Sequence, residues 1–156
     1  MRKLFQLRKI KKTPKKSKVT EKHQERCVIN KVLIVDDDQM NRFILKQYLI
    51  NYGISECSIL EKTNGKEVID LYDDSSSVFM DINIIFIDKK MPYMDGVDTI
   101  KYLTTKGYNG ITVCITGYTD SNTRKQLTDA GANHILSKPI IYNNFVCLLD
   151  RIILKK

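Results

Sequence analysis

The sequence predicts an α/β domain with a parallel sheet at its centre. Short runs rich in Val and Ile, such as Val32–Val35 and Ile84–Ile87, have the composition of strands buried on both faces. Segments with helical spacing of apolar residues separate these runs, and Gly, Pro, Asn or Asp mark the junctions. We count five strands alternating with five helices, which implies right-handed βαβ units and helices on both sheet faces.

The first half of the domain contains two strands and two helices. The strand at 32–35 precedes a helix over 39–52, whose apolar residues keep helical spacing until Gly53 ends it. A weaker strand at 55–60 follows. Asn64-Gly65 then opens a second helix, and a polar loop is expected at 73–77.

The second half contains three strands and three helices. The strand at 83–87 has the strongest strand pattern, and after a break at Met91-Pro92 a helix runs through Leu103. The remaining elements follow in order: a strand at 111–115, a helix at 120–130 ended by Gly131, a strand at 134–136, and a helix from 142 to about 154. Asp38, Asp95 and Asp120 are expected to cap helices or shape turns.

The positive charge of the chain belongs to its first residues. The chain has 156 residues, a net charge of +8 and 42% hydrophobic residues, which suffice for a core. Residues 1–26 hold 11 Lys and Arg against two acidic residues, whereas the rest holds 15 against 16. The positive net charge of the whole chain therefore gives little support for nucleic-acid binding by the domain. No apolar run reaches the roughly 18 residues of a membrane span, so no transmembrane segment is expected.

The first residues are predicted to form a basic disordered tail or linker at 1–29, ahead of a domain at 30–156. Leu4, Phe5, Leu7 and Ile10 alternate with basic residues, a pattern that also fits a helix on an anionic membrane. Nucleic-acid contact, nuclear import and organelle targeting remain open for this tail.

The four cysteines lack the spacing of metal ligands and are interpreted as reduced thiols. Cys114 and Cys147 lie in apolar runs and are expected in the core. We therefore expect a cytoplasmic protein, with the nucleus as an alternative if the tail directs import.

Polar residues end four of the strands, in an order that indicates phosphoryl chemistry. Asp36 and Asp37 follow the first strand, Asp88 the third, Thr116 the fourth and Lys138 the fifth. The carboxyl ends of parallel strands share one edge of the sheet, where ligands bind in such folds. Carboxylates suit Mg²⁺, or Mn²⁺ in its place, and Lys and Thr suit a phosphoryl group. A carboxylate can also act as the nucleophile and form an acyl phosphate.

Residues 31–154 resemble the receiver domain of two-component response regulators, especially the receivers attached to hybrid histidine kinases. The most specific match is the Met91–Gly96 stretch after Asp88. The other matching stretches are Val32–Asp38, Asn41-Arg42, Leu45, Asn64-Gly65, Ile87–Lys90, Ile115-Thr116, Ala130–Ala132 and Leu136–Ile140.

The resemblance implies a flavodoxin-like, doubly wound sheet of strand order 2-1-3-4-5. It also implies that Asp88 accepts a phosphoryl group from the phosphohistidine of a histidine kinase or a histidine phosphotransfer protein. Asp36, Asp37, Asp88 and the Lys90 backbone carbonyl would hold the metal. Such a domain signals by conformational change and catalyses only its own phosphorylation and dephosphorylation.

The switch elements that the resemblance implies are mostly present. Thr116 would follow the phosphoryl group, and Lys138 would bind it and couple it to the loop at Pro139. The family's aromatic switch position, three residues before the lysine, holds Ile135 here. Lys90 and Tyr118 occupy positions that influence acyl phosphate hydrolysis in the family. Both are large, and we expect a shielded, long-lived phosphoryl group.

Output is expected through the face formed by residues 120–154, because the last helix has more apolar residues than one core stripe needs. That face is a candidate surface for a downstream partner or a homodimer, with ordinary core packing as the alternative. Two other functions remain open. One is a receiver-like binding module that works without phosphate. The other is a haloacid-dehalogenase-like phosphatase built on the D-x-D of Asp36 and Asp38, which would give no role to Asp88.

Overall fold

The structure is a computed structural model that describes residues 29–74 and 76–153. The strands are β1 Lys31–Val35, β2 Ile59–Lys62, β3 Ile82–Asp88, β4 Ile111–Thr116 and β5 His134–Ser137. The helices are α1 Gln39–Tyr52, α2 Gly65–Asp74, α3 Ser76–Met80, α4 Gly96–Thr105, α5 Ser121–Ala130 and α6 Tyr142–Ile153, with a 3-10 turn at Glu56–Ser58. The tail predicted at 1–29 lies almost entirely outside the described residues.

The five strands form one parallel sheet in the order β2-β1-β3-β4-β5. This confirms the predicted doubly wound fold and its strand order. In the sheet register Val35 lies beside Ile87, Asp88 beside Ile115, and Thr116 beside Ser137. The ends of β1, β3, β4 and β5 therefore meet at one edge of the sheet.

Helices cover both faces of the sheet and create two apolar layers. Leu45 and Leu49 of α1 pack with Phe145 and Leu149 of α6 on one face. The other face is covered by α2, α3, α4 and α5, through residues that include Ile100. Residues of β3 alternate between the two layers, so this central strand is buried on both faces, as its continuous apolar sequence predicts.

The described residues form six α-helices rather than the five predicted. The prediction of a polar loop at 73–77 is wrong, because α2 extends to Asp74 and α3 begins at Ser76. Phe79 of α3 is fully buried and packs edge-on against the rings of Tyr72 and Tyr108. Burial of this one aromatic side chain outweighs the turn preference of the preceding serines.

The second strand begins later than predicted. Glu56–Ser58 form the 3-10 turn, and β2 occupies Ile59–Lys62 at the edge of the sheet. Glu61 is exposed on this edge strand and pairs with Arg42 and Lys46 of α1. An edge strand tolerates such charged residues, which is why its sequence lacks a strong strand pattern.

The cysteine prediction is half right. Cys114 is fully buried in β4, and burial raises the pKa of its thiol to about 12. Cys147, however, is exposed. It lies on the outer side of α6, because the buried positions Phe145, Leu148 and Leu149 place the core stripe on the opposite side.

Core packing accounts for the large number of apolar residues in α6. Phe145, Leu148, Leu149 and Ile152 are buried, while Tyr142, Val146 and Ile153 pack against the same layer. The packing thus favours ordinary core over a partner surface for these side chains. In the described part of the chain, no helix is long and apolar enough to cross a membrane.

Candidate functional site

Four strand ends bring the predicted site residues together. Asp36 follows β1, Asp88 ends β3 and Thr116 ends β4, and these three residues are only 3%, 6% and 2% exposed. Lys138 follows β5 and reaches the same point. Asp37 is exposed instead, because its neighbour Asp36 takes the inward position at the end of the strand.

Lys138 is the cation of this site. Its Nζ lies 2.6 Å from Asp88 Oδ1 and 3.1 Å from Asp36 Oδ2. Burial raises the pKa of the Asp88 carboxyl above its ordinary value, although the ammonium of Lys138 opposes this effect. Burial lowers the pKa of the Lys138 amine, but the two carboxylates outweigh burial and raise it overall. One ammonium therefore holds two buried carboxylates together.

The first turn of α1 holds Asp36 in place. Its Oδ1 accepts a hydrogen bond from the Asp38 amide at 2.9 Å, and the Asn41 side-chain amide lies 3.2 Å from both carboxylate oxygens. Arg42 donates to the Asp36 carbonyl at 2.8 Å and the Asp37 carbonyl at 3.3 Å. Sequence reasoning gave Asn41 and Arg42 no role, although both stand in the first turn of the helix that follows the acidic pair.

The three candidate caps are confirmed as N-caps of α1, α4 and α5. Asp38 accepts from the amides of Met40 and Asn41, while Asp95 and Asp120 each accept from one amide of their own helix. Asp38 is therefore engaged in capping α1, which argues against the phosphatase interpretation of a D-x-D pair.

The loop after Asp88 folds back onto the strand end. Asp88 Oδ2 accepts from the Lys90 amide at 2.9 Å, and the Gly96 amide donates to the Lys89 carbonyl at 2.9 Å. A Cβ at Gly96 would lie 2.3 Å from the Asp88 carbonyl oxygen, so only glycine permits this approach. The start of α4 thereby positions the backbone of Asp88.

A backbone hydrogen bond links the other two site residues. The Lys138 amide donates to the Thr116 carbonyl at 2.8 Å, so the end of β4 is bonded directly to Lys138. Thr116 Oγ1 accepts from the Tyr118 amide at 3.1 Å. Pro139 is exposed beside Lys138, and Ile135 is half-buried against the layer of α2, α4 and α5.

A pocket of about 170 Å³ opens above Asp88. Its walls include Asp88, Thr116 and Lys138. Lys90 and Tyr118 form the rim, where the Lys90 Nζ lies 4.9 Å from the centre of the Tyr118 ring. The pocket is large enough for a small anion, and these two exposed residues line its outer side.

The oxygen donors of the site are of the type that a hard divalent cation prefers. Only some of them point to a common position. Asp36 and Asp88 converge, but Asp37 faces solvent. Within residues 29–74 and 76–153, no three acidic, His or Cys side chains surround a common point. Lys138 occupies the position between the two carboxylates, so a cation would bind beside it, with Asp37 turned inward.

Comparison with known proteins decides the family. A family model described as the response regulator receiver domain matches residues 32–150. The chain belongs to this family. It is thus a receiver domain of two-component signalling, and the phosphatase interpretation is set aside.

The receiver is similar to a response regulator of a plant and to part of a histidine protein kinase of yeast. It is 37% identical to the two-component response regulator ARR22 of Arabidopsis thaliana, over 70% of this chain and 73% of that protein. It is 32% identical to the osmosensing histidine protein kinase SLN1 of Saccharomyces cerevisiae, over 70% of this chain but 9% of that protein.

Solved structures share the fold of the receiver. The CheX-CheY-BeF3-Mg²⁺ complex from Borrelia burgdorferi superposes with a TM-score of 0.70 at 23% identity, covering 80% of this chain and 90% of that chain. The chemotaxis protein CheY4 of Vibrio cholerae gives 0.68 at 21% identity, covering 80% and 98%.

Proposed function

We propose that the receiver takes a phosphoryl group from phosphohistidine onto Asp88 and relays the signal by a change of conformation. The observation that carries this proposal is the placement of Asp88. Its buried carboxylate lies 2.6 Å from the Lys138 ammonium, in a pocket whose other wall is Thr116. The chain acts on no separate substrate and promotes only its own phosphorylation and dephosphorylation.

The residues divide the chemistry between them. An Asp88 carboxylate oxygen bonds to phosphorus while the P–N bond of phosphohistidine breaks, and the leaving imidazole takes a proton from solvent. Lys138 shifts from Asp88 to a phosphoryl oxygen, and the Thr116 hydroxyl donates a hydrogen bond to another. Because the Lys138 amide is bonded to the Thr116 carbonyl, both movements alter the same strand ends.

Asp36, Asp37, Asp88 and the Lys90 carbonyl would hold Mg²⁺ or Mn²⁺. Bound there, the cation neutralises charge between the carboxylates and the incoming phosphoryl oxygens. Asp36 is already fixed by Asn41, whereas Asp37 is free to turn inward because it is exposed.

Mg²⁺ is expected to stabilise the folded receiver and Asp37→Asn to remove most of this effect. Binding at about a hundred times the dissociation constant adds about 2.7 kcal/mol to the free energy of unfolding. Thermal unfolding with Mg²⁺ and with EDTA measures the difference. Asp129→Asn is the matched control, since Asp129 is exposed on α5 and pairs with Lys125 of the same helix. An equal Mg²⁺ shift in Asp37→Asn and the wild type would argue against this ligand.

The proposed function is tested by intact mass after incubation with Mg²⁺ and acetyl phosphate. We expect the wild type to gain the mass of one phosphoryl group, and Asp88→Asn to gain none. Omission of Mg²⁺ should also prevent the gain. A folded wild type that never gains mass would instead support the phosphate-independent binding module.

The Lys90–Tyr118 rim is expected to lengthen the life of the acyl phosphate. The two side chains guard the open side of the pocket, so their removal gives water a free path to phosphorus. Lys90→Ala combined with Tyr118→Ala should speed loss of the phosphoryl mass several-fold in a time course. Tyr93→Ala is the control, because this 91% exposed residue lies outside the pocket wall. An unchanged decay in the double variant would refute the shielding role.

The position of the pocket determines the side from which a partner protein can approach. The pocket opens at the carboxyl edge of the sheet, so a histidine kinase or phosphotransfer protein must approach from that side. Output through the 120–154 face, or a homodimer there, remains a proposal. Its support is the link from Thr116 to Lys138, which joins the pocket to the strand that precedes α6.

A further inference from the structure

The outer face of α1 carries an exposed apolar surface beside the pocket. Met40 is 63% exposed, Phe43 55% and Ile44 37%, and together we call them the α1 patch. The opposite side of α1 buries Leu45 and Leu49 in the core. The helix is therefore apolar on two sides over its first half, which core packing does not require.

Two shallow grooves flank the α1 patch. One of about 490 Å³ is lined by Gln39, Met40 and Phe43. The other, of about 350 Å³, lies between Ile44, Tyr48 and Lys138. Grooves on both sides of exposed Phe and Met side chains can receive the apolar side chains of a short segment.

The chain itself contains such a segment outside the described residues. Leu4, Leu7 and Ile10 recur every third residue, and Phe5 adds an aromatic ring. Apolar side chains three residues apart are among the anchors that a short segment uses when it binds in a groove. Two basic residues, Arg8 and Lys9, lie between Leu7 and Ile10.

The length of the intervening chain suits this contact. The 19 residues from Ile10 to Ile29 have an expected end-to-end distance of about 25 Å if flexible. The domain begins with β1 at the amino edge of the sheet, and α1 runs back toward that edge from the site. The 14 residues of α1 span about 20 Å, so this length of chain is sufficient for residues 4–10 to reach the patch.

Charge favours the same placement. Asp37 and Asp38 are exposed carboxylates at the start of α1, next to Met40. The net charge of the domain is close to neutral, whereas residues 1–26, which include the segment, hold 11 Lys and Arg against two acidic residues. Docking of the apolar anchors on the patch would bring basic side chains near these acids.

We propose that residues 4–10 dock on the α1 patch of the same molecule. The contact itself does not depend on phosphorylation.

Photo-crosslinking of the full chain tests the contact. The photoreactive residue p-benzoylphenylalanine replaces Phe43, and in a matched control it replaces Met80, which is 62% exposed on α3. Mixing light and heavy isotope-labelled chains separates links within one molecule from links between copies. We expect position 43 to link to residues 1–12 of its own chain, and position 80 not to do so.

A second variant tests the anchors. Leu7→Ser combined with Ile10→Ser should lower the yield from position 43 about tenfold, because two apolar contacts are lost. Lys15→Ser combined with Lys16→Ser should leave the yield unchanged. Links between copies, links confined to α1 and its neighbours, or an equal yield from position 80 would each overturn the proposal. None of these outcomes depends on whether Asp88 takes a phosphoryl group.

Discussion

Lys138→Met is expected to lower the rate of phosphoryl uptake from acetyl phosphate by a factor of about 10²–10³, the usual effect of removing one charge-stabilising donor. Lys138 is the only ammonium that the described structure places against Asp88, at 2.6 Å. Met keeps the length and apolar stem of the side chain but cannot contact a phosphoryl oxygen. The rate of mass gain with Mg²⁺ measures the effect, and Lys125→Met is the control on exposed α5.

The same substitution should change the pH dependence of stability in EDTA. Burial already raises the pKa of the Asp88 carboxyl in the folded state, and loss of Lys138 raises it further. A carboxyl with a raised pKa binds its proton more tightly when folded, so its contribution to stability grows as pH falls. Lys138→Met should therefore be least stable, relative to the wild type, near neutrality and recover toward acid pH. A stability difference that is constant with pH, or an unchanged phosphorylation rate, would contradict this role of Lys138.

Gly96→Ala is expected to damage both stability and phosphorylation. The added Cβ would lie 2.3 Å from the Asp88 carbonyl oxygen and 3.1 Å from the Lys89 Cα. Neither backbone atom can move away without shifting the end of β3, so we expect a loss of about 1–3 kcal/mol in unfolding free energy. The displaced Asp88 should also accept phosphoryl groups more slowly.

Gly117→Ala is the matched control, because a Cβ there meets no atom within 4 Å although it lines the same pocket. Denaturant unfolding and the mass assay are run on both variants. If Gly96→Ala were as stable and as reactive as Gly117→Ala, the start of α4 would have no role in positioning Asp88.

The strand ends could be predicted from the sequence because their signals are local. Continuous Val and Ile runs mark β1 and β3, and the polar residue that follows each run is visible in the chain. Parallel topology then requires Asp36 and Asp88 to share an edge. The caps Asp38, Asp95 and Asp120 were likewise predictable from their position before each helix.

Features that depend on side-chain direction could not be predicted. Asp36 faces inward, where Asn41 contacts its carboxylate and Arg42 its carbonyl, and these partners are known only once α1 is placed. The burial of Phe79 converts a serine-rich segment into α3. Cys147 lies in an apolar run, yet the helix turns it to solvent.

Locating the phosphoryl group within the chain tests the central claim most directly. The wild type is phosphorylated with acetyl phosphate and Mg²⁺, then treated with borohydride, which reduces an aspartyl phosphate to homoserine. Peptide mass spectrometry is expected to find homoserine at position 88 and aspartate at positions 36 and 37. Homoserine at position 36 or 37, or a stable phosphate on a hydroxyl or imidazole, would contradict the assignment of Asp88.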